Sequence, residues 1–229
     1  MMKKPLFNKR HSLFGPSVYI FIKPIYILVV ALLLSGCIGG GKPADMVEQY
    51  ILEYTSPMFK NLSRIDEGFT VERFSVAQAF NSLSMVYREN PFNYNVYNYH
   101  RWRVNPGDMV TDYVLRDARN SDLFKAVFSY RDTKNTEFLL EGQVGEFMEI
   151  DEKEGRKAAL TLTATLLDLR QKEITTRVVF QKTYRSVVPL EQPTARGLAQ
   201  AMSRAMRKLS ESLIRDIYTS ILTSMKLHR

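Results

Sequence analysis

The clearest pattern in the chain is a strict alternation late in the sequence. Leu160, Leu162, Ala164 and Leu166 alternate with Thr161, Thr163 and Thr165. A period of two turns one face of a strand to a core and the other to water. Upstream, Phe138, Leu140, Gly142, Val144, Glu146, Met148 and Ile150 fall on one face of a second strand. The charged connection Asp151-Glu152-Lys153-Glu154-Gly155-Arg156-Lys157 reads as a hairpin loop. Ile174 to Tyr184 is expected to add a third strand, completing an antiparallel meander. Weaker strand signals precede these: Gln49 to Tyr54, Phe69 to Phe74, Leu83 to Arg88, and the aromatic-rich Tyr94 to Trp102. Asn90-Pro91 and Asn93 mark the turn between the last two.

Helical spacing takes over at two places. Asn105-Pro106-Gly107-Asp108 breaks the strand pattern and opens a helix over about 109–120, with Met109, Val110, Tyr113 and Val114 on one side. The chain ends in a long helix from Ala195 to Met225. Its stripe is Leu198, Met202, Ala205, Leu209, Leu213, Ile217, Ile221 and Met225, in steps of three and four. Thr194 is placed to cap it. At 1.5 Å per residue this helix is roughly 45 Å long, against about 17–20 Å for an ordinary strand. It is therefore expected to bend or to overhang the sheet. The predicted fold class is α+β: an antiparallel sheet packed against helices on one face, with a long C-terminal helix.

The N-terminal region has a different character. Lys3, Lys4, Lys9, Arg10 and Lys23 are basic, with no acid before Cys37. The apolar run Ile25–Leu34 follows, and Leu34-Ser35-Gly36-Cys37 closes it. A basic start, a short apolar core and small residues at the end form an export signal. Ten residues span roughly 15 Å as a helix, half a bilayer core, which argues against a transmembrane helix. Leu34-Ser35-Gly36-Cys37 resembles the bacterial lipobox, in which the cysteine takes a diacylglycerol, the signal is cut before it and the new amine is acylated. Cys37 is the only cysteine in the chain. Ile38 follows it, where an aspartate would favour retention in the inner membrane, so the resemblance implies the outer membrane. The expected organisation is a signal peptide at 1–36, a lipidated flexible tether at 37–46 and a single α+β domain at 47–229.

The signal also changes the reading of charge. The chain holds 32 Lys and Arg against 24 Asp and Glu, formally +8. Without the five basic residues of 1–36, 27 remain against 24, leaving +3. That is too little to argue for nucleic acid. One cysteine gives neither an internal disulfide nor a thiolate metal cluster. No Gly-x-Ser-x-Gly elbow, phosphate-binding loop or His-Glu-x-x-His helix occurs in the sequence. Neither a catalytic residue nor a cofactor or metal is expected.

Three features need weighing. Glu146, Glu149, Asp151, Glu152 and Glu154 form an acidic run, either a cation site or a paired-carboxylate catalyst or, better, a solvated strand end and hairpin, since the spaced ligands of a calcium loop are missing. His100 with Asp108 or Asp112 is either an acid–base pair or an ordinary strand histidine. The segment Tyr94–Trp102 places Tyr97, Tyr99 and Arg101 on one face, and Tyr94, Val96 and Trp102 on the other. Aromatics on both faces suit core packing or a partner contact, because Tyr, Trp and Arg dominate binding hot spots. The end of the last helix, near Tyr218 and Leu222, is the second candidate contact. Trp102, at a strand-to-helix corner, is expected to be structural.

With these residues in view, the chain resembles the ABC-type transport auxiliary lipoprotein family, lipoproteins associated with mammalian-cell-entry (MCE) lipid transport systems of Gram-negative bacteria. The likeness is carried by Tyr50-Ile51-Leu52, Met85-Val86-Tyr87-Arg88, Arg101-Trp102 before Pro106, and Phe124 with Val127. It continues through Leu140-Glu141-Gly142 with Val144 and Phe147, Leu167-Asp168, Phe180, Pro189, and Ala201-Met202-Ser203 with Ala205. The resemblance implies a non-enzymatic accessory subunit facing the periplasm. Its partners would be an MCE-domain protein, ABC transporter components and the membrane that holds its lipid, with self-association also compatible. The alternative function is a periplasmic carrier of a lipid or small molecule, which requires an apolar cavity. The alternative location is the outer face of the inner membrane.

Overall fold

The computed structural model describes residues 46–132 and 136–227. Cys37 and the expected signal and tether up to Asp45 lie outside them. The strands are β1 (Glu48–Tyr50), β2 (Ile65–Val71), β3 (Ser75–Val76), β4 (Ser84–Asn90), β5 (Asn93–Trp102), β6 (Phe124–Ser129), β7 (Phe138–Glu152), β8 (Gly155–Asp168) and β9 (Val178–Pro189). The helices are α1 (Pro106–Asn120), the single turn α2 (Ile174–Arg177) and α3 (Ala195–Leu227). The α+β class and the long last helix are as the sequence implies.

The meander β7–β8–β9 forms one side of the sheet, with β9 at the edge, and its pairings are antiparallel. Lys153-Glu154 makes the turn, and Gly155 follows at φ +119°, a conformation that suits a residue without Cβ. The opposite edge of β7 receives three strands in succession, all parallel to it: β2 at Phe138–Leu140, β3 at Gln143–Val144 and β4 at Met148–Ile150. β6 joins β2 in parallel, β5 pairs with β4 as an antiparallel hairpin, and β1 runs parallel to β5. The sheet is therefore mixed rather than wholly antiparallel. Alternation along one strand records which face is buried, but carries nothing about the direction of its neighbour.

The expected single face of β7 holds only for its first half. Phe138, Leu140 and Val144 are buried while Glu141 and Gln143 are exposed. The register then shifts between Val144 and Glu146, a bulge at Gly145. The bulge reverses the alternation: Phe147 takes the buried face opposite Leu160, and Glu146 turns outward beside Thr161. Gly142 is required for a different reason. A Cβ there would collide with the ring of Phe74, which crosses the strand at that point.

Other boundaries moved for identifiable reasons. β1 stops at Tyr50 instead of running to Tyr54, because the next residues bond to helices rather than to the sheet. The Glu53 amide donates to Ser203 Oγ at 2.9 Å, the Tyr113 hydroxyl donates to the Leu52 carbonyl, and Leu52 is fully buried. β6, a short strand with Phe124 and Val127 inward, was not anticipated by periodicity. Ile174 starts a helical turn and not a strand: Arg177 donates to the carbonyls of Gln171 and Lys172, closing the turn on itself. α1 begins three residues early, since the Asn105 side chain accepts the Gly107 amide at 2.9 Å and Pro106 fits the first turn.

Thr194 caps α3 as expected, its hydroxyl accepting the Gly197 amide at 3.1 Å. The stripe from Leu198 to Ile221 is buried, and so are Ala199, Met206, Ile214 and Tyr218 beside it. The length mismatch behind the expected bend or overhang does not occur. β7 and β8 have 15 and 14 residues, roughly 45–50 Å, and the 33 residues of α3 span about 50 Å. Helix and hairpin match in length, so the apolar face of α3 is covered along its course. Among the described residues no helix is long and apolar enough to cross a membrane.

Candidate partner surface

β5 is built irregularly. Its pairing with β4 jumps from Val86 opposite Val96 to Ser84 opposite Arg101, so that Tyr97–His100 lie against little more than Met85. The expected division of β5 into two clean faces therefore fails. Trp102 is 1% exposed and packs edge-on against Phe147, with centroids 5.0 Å apart, whereas Tyr94 and Val96, expected to share its face, are nearly half exposed.

Tyr97 is half-buried. Its hydroxyl donates to Glu149 Oε2 at 2.8 Å, and its ring meets Tyr87 and His100 edge-on. Glu149 has no exposed side-chain surface, and its other oxygen lies 3.4 Å from Arg156 Nη1. Burial pushes the Glu149 carboxyl above its ordinary value, although the Tyr97 hydrogen bond and the Arg156 charge pull the other way. Burial likewise raises the Tyr97 phenol, with the Glu149 hydrogen bond and charge adding to it. The acidic run is thus not a uniformly solvated strand end. Glu146 is also engaged, by Arg185 Nε at 2.8 Å and by Thr161. The sequence cue for Glu149 was its place between Met148 and Ile150 in an apolar stretch.

Tyr99 is 51% exposed and Arg101 is exposed. Tyr87, Val96, Tyr97, Tyr99, His100 and Arg156 line an open groove of about 330 Å³ on this side of the strand. His100 faces Glu48 at 3.4 Å and the ring of Tyr50. It does not form the considered pair with Asp108, which is held by both nitrogens of an Arg73 fork at 2.6 and 2.8 Å.

The second candidate contact does not survive as an exposed surface. Tyr218 is 7% exposed, its ring meets Phe124 and its hydroxyl donates to the Ser63 carbonyl at 2.9 Å. Leu222 is partly buried against the same core. Both residues serve packing because the sheet is as long as the helix. The sequence-predicted residues therefore separate: Tyr97, Tyr99 and Arg101 share one strand, Tyr218 is buried and Leu222 is partly buried beside it.

A second polar cluster holds the segment after β1 onto α1. Asp117 is fully buried and accepts from the Tyr54 hydroxyl at 2.8 Å, from Ser56 at 2.7 Å and from Arg116. The Arg116 guanidinium sits 4.4 Å from the ring centres of both Tyr54 and Tyr113. Beside it, Ile51, Val104, Met109 and Tyr113 line a shallow depression of about 240 Å³. None of these depressions is enclosed. Among the described residues no group of three or more His, Cys, Asp and Glu is placed to hold a metal ion.

The model of the ABC-type transport auxiliary lipoprotein component family matches residues 63–213. The chain belongs to that family. The match runs from the segment before β2 into α3 and takes in Tyr97, Tyr99 and Arg101. Among solved structures, the auxiliary lipoprotein chain is similar to a Xanthomonas campestris protein of the DUF330 family. The two are 19% identical with a TM-score of 0.71, over 79% of this chain and 99% of that one. It is also similar to an uncharacterized protein at 11% identity and a TM-score of 0.56, over 71% of this chain and 99% of the other. These likenesses show a shared fold. No curated protein matches the chain.

Proposed function

We propose that this auxiliary lipoprotein is a non-catalytic docking subunit of an MCE-type lipid transport system, held by a lipid on Cys37 in the periplasmic leaflet of the outer membrane. Its partner would be the MCE-domain protein of that system, together with the ABC transporter components behind it. Membership of the family supports the auxiliary role. The observation that carries docking over carrying is the contrast between the core and the surface. The interior between α3 and the sheet is filled by Leu160, Leu162, Leu198, Met202 and their neighbours, while Tyr99 and Arg101 stand exposed on an irregular strand beside an open groove. Aromatic and arginine side chains at a strand irregularity suit a protein contact. A carrier would need an apolar chamber able to enclose most of its ligand.

The test is affinity purification of the full lipidated chain from membranes, with Tyr99→Asp and Arg101→Glu as variants. Both residues are exposed, so the thermal midpoint should move little. Loss of the co-purifying MCE-domain protein supports docking through β5. Unchanged recovery from both variants refutes it.

A further inference from the structure

The direction of β1 says where the chain joins the fold. β1 is parallel to β5, with Glu48 opposite His100 and Tyr50 opposite Trp102. Stepping back from Glu48 therefore leads toward the start of β5, where Asn90 and Asn93 close the β4–β5 hairpin. β4 is in turn parallel to β7, with Arg88 opposite Ile150, so the β7–β8 turn lies at the same end. Arg88 to Pro91 and Ile150 to Glu152 line one cleft there. The opposite end, beyond Asp168, is separated from it by the 14 residues of β8, about 45 Å.

The end with the two turns carries an unpartnered apolar side chain. Phe92 is 95% exposed. The Phe92 amide donates to Asn90 Oδ1 at 3.1 Å, which fixes the turn and holds the ring at its apex. Charge at this end is balanced, Glu89, Asp151, Glu152 and Glu154 standing against Arg88, Lys153, Arg156 and Lys157. Nothing here calls for a strongly charged partner.

We propose that this end of the sheet rests on the phospholipid bilayer, with Phe92 seated among the headgroups as an apolar contact. The inference depends on the lipid anchor at Cys37 proposed above. Nine residues from Cys37 to Met46 reach at most about 30 Å. Continuing the β1 register puts Met46 level with Asn98, and the turn at Asn93 lies five residues further on, roughly 17 Å. The N-terminal end of β1 faces this turn, and the connection is long enough for the turn to touch the surface. An aromatic ring at the water–lipid boundary is a favourable placement. Tyr99 and Arg101, further along β5, remain available to a protein partner.

The experiment uses the full chain, processed in bacterial membranes and reconstituted into phosphatidylethanolamine–phosphatidylglycerol vesicles. Phe92→Cys and, as a reference at the far end, Ile174→Cys, an exposed apolar position too, are labelled with a polarity-sensitive fluorophore. A lipidated Cys37 has no free thiol, and the sequence holds no other cysteine. The contact predicts blue-shifted emission at position 92, quenched several-fold more strongly by spin-labelled lipid than at position 174. Vesicle-bound protein with equal, water-like emission at both sites overturns the contact while leaving the anchor standing. A parent chain that labels at Cys37 and washes off the vesicles overturns the anchor and the contact with it.

Discussion

The Tyr97 hydroxyl donates to Glu149 Oε2 across 52 residues of sequence, tying the irregular part of β5 to the buried end of β7. The bond sits beneath the groove that Tyr99 and His100 line, so the shape of the exposed strand is set by a carboxylate no solvent reaches. Arg156, 3.4 Å from the other Glu149 oxygen, holds the same carboxylate from the β7–β8 hairpin.

Glu149 gives a pH-dependence with a definite sign. Its folded value is raised above the ordinary 4.5, so between these values the folded state binds more protons than the unfolded one. The contribution of this group to stability is full below about 4.5 and declines as pH rises through the folded value. Glu149→Gln removes that decline while keeping an acceptor for Tyr97. Urea unfolding measured from pH 4.5 to 7 should show a flatter loss of stability with rising pH in the variant than in the parent. A steeper loss would contradict the assignment.

Asp117 makes the opposite kind of test. Three side chains, Tyr54, Ser56 and Arg116, donate to a carboxylate with no exposed surface. Removing the shared acceptor leaves the part-buried Tyr54 and Ser56 hydroxyls unpaired, at about 1–3 kcal/mol. Asp117→Ala should therefore lower unfolding free energy by about that amount, and should expose the segment at Leu52–Ser56 to protease first. Asp117→Asn keeps an acceptor and should cost less.

Trp102 is expected to matter through packing alone. It is 1% exposed, edge-on to Phe147, and its backbone amide closes on the Leu83 carbonyl at 2.7 Å. Trp102→Ala should destabilise by about 3–5 kcal/mol, read by chemical denaturation, and Trp102→Phe by less. A fully stable Trp102→Ala chain that no longer recovers its partner would make Trp102 a contact residue instead.

Local periodicity made the core legible. Leu160 to Leu166 and the stripe from Leu198 to Ile221 lie where alternation and helical spacing put them, because both are long and each buries the other. What escaped depended on partners distant in sequence. The parity of β7 changes at Gly145, a single residue with no signature of its own. Its parallel neighbours β2, β3 and β4 leave no mark on its alternation. The sequence shows Tyr97 as an aromatic but not its bond to Glu149, and it does not show that β7 and β8 run as long as the helix that carries Tyr218. Phe124 and Val127 carry part of the family likeness, yet they stand three residues apart, a spacing that does not read as one face of a strand.

The membrane attachment can be separated from the fold. The core runs from Leu52 to Ile221, and no helix among the described residues is suited to span a bilayer. Attachment through Cys37 is then expected to depend on acyl chains, each buried methylene contributing about 0.8 kcal/mol, so that several chains together hold the protein almost irreversibly. A Cys37→Ser chain should leave the membrane fraction for the soluble one, should lack the acyl mass in intact mass spectrometry, and should unfold cooperatively at the midpoint of the parent. Retention in the membrane with unchanged mass would refute the anchor. A chain that is released but unfolded would show instead that residues before Met46 are needed for stability.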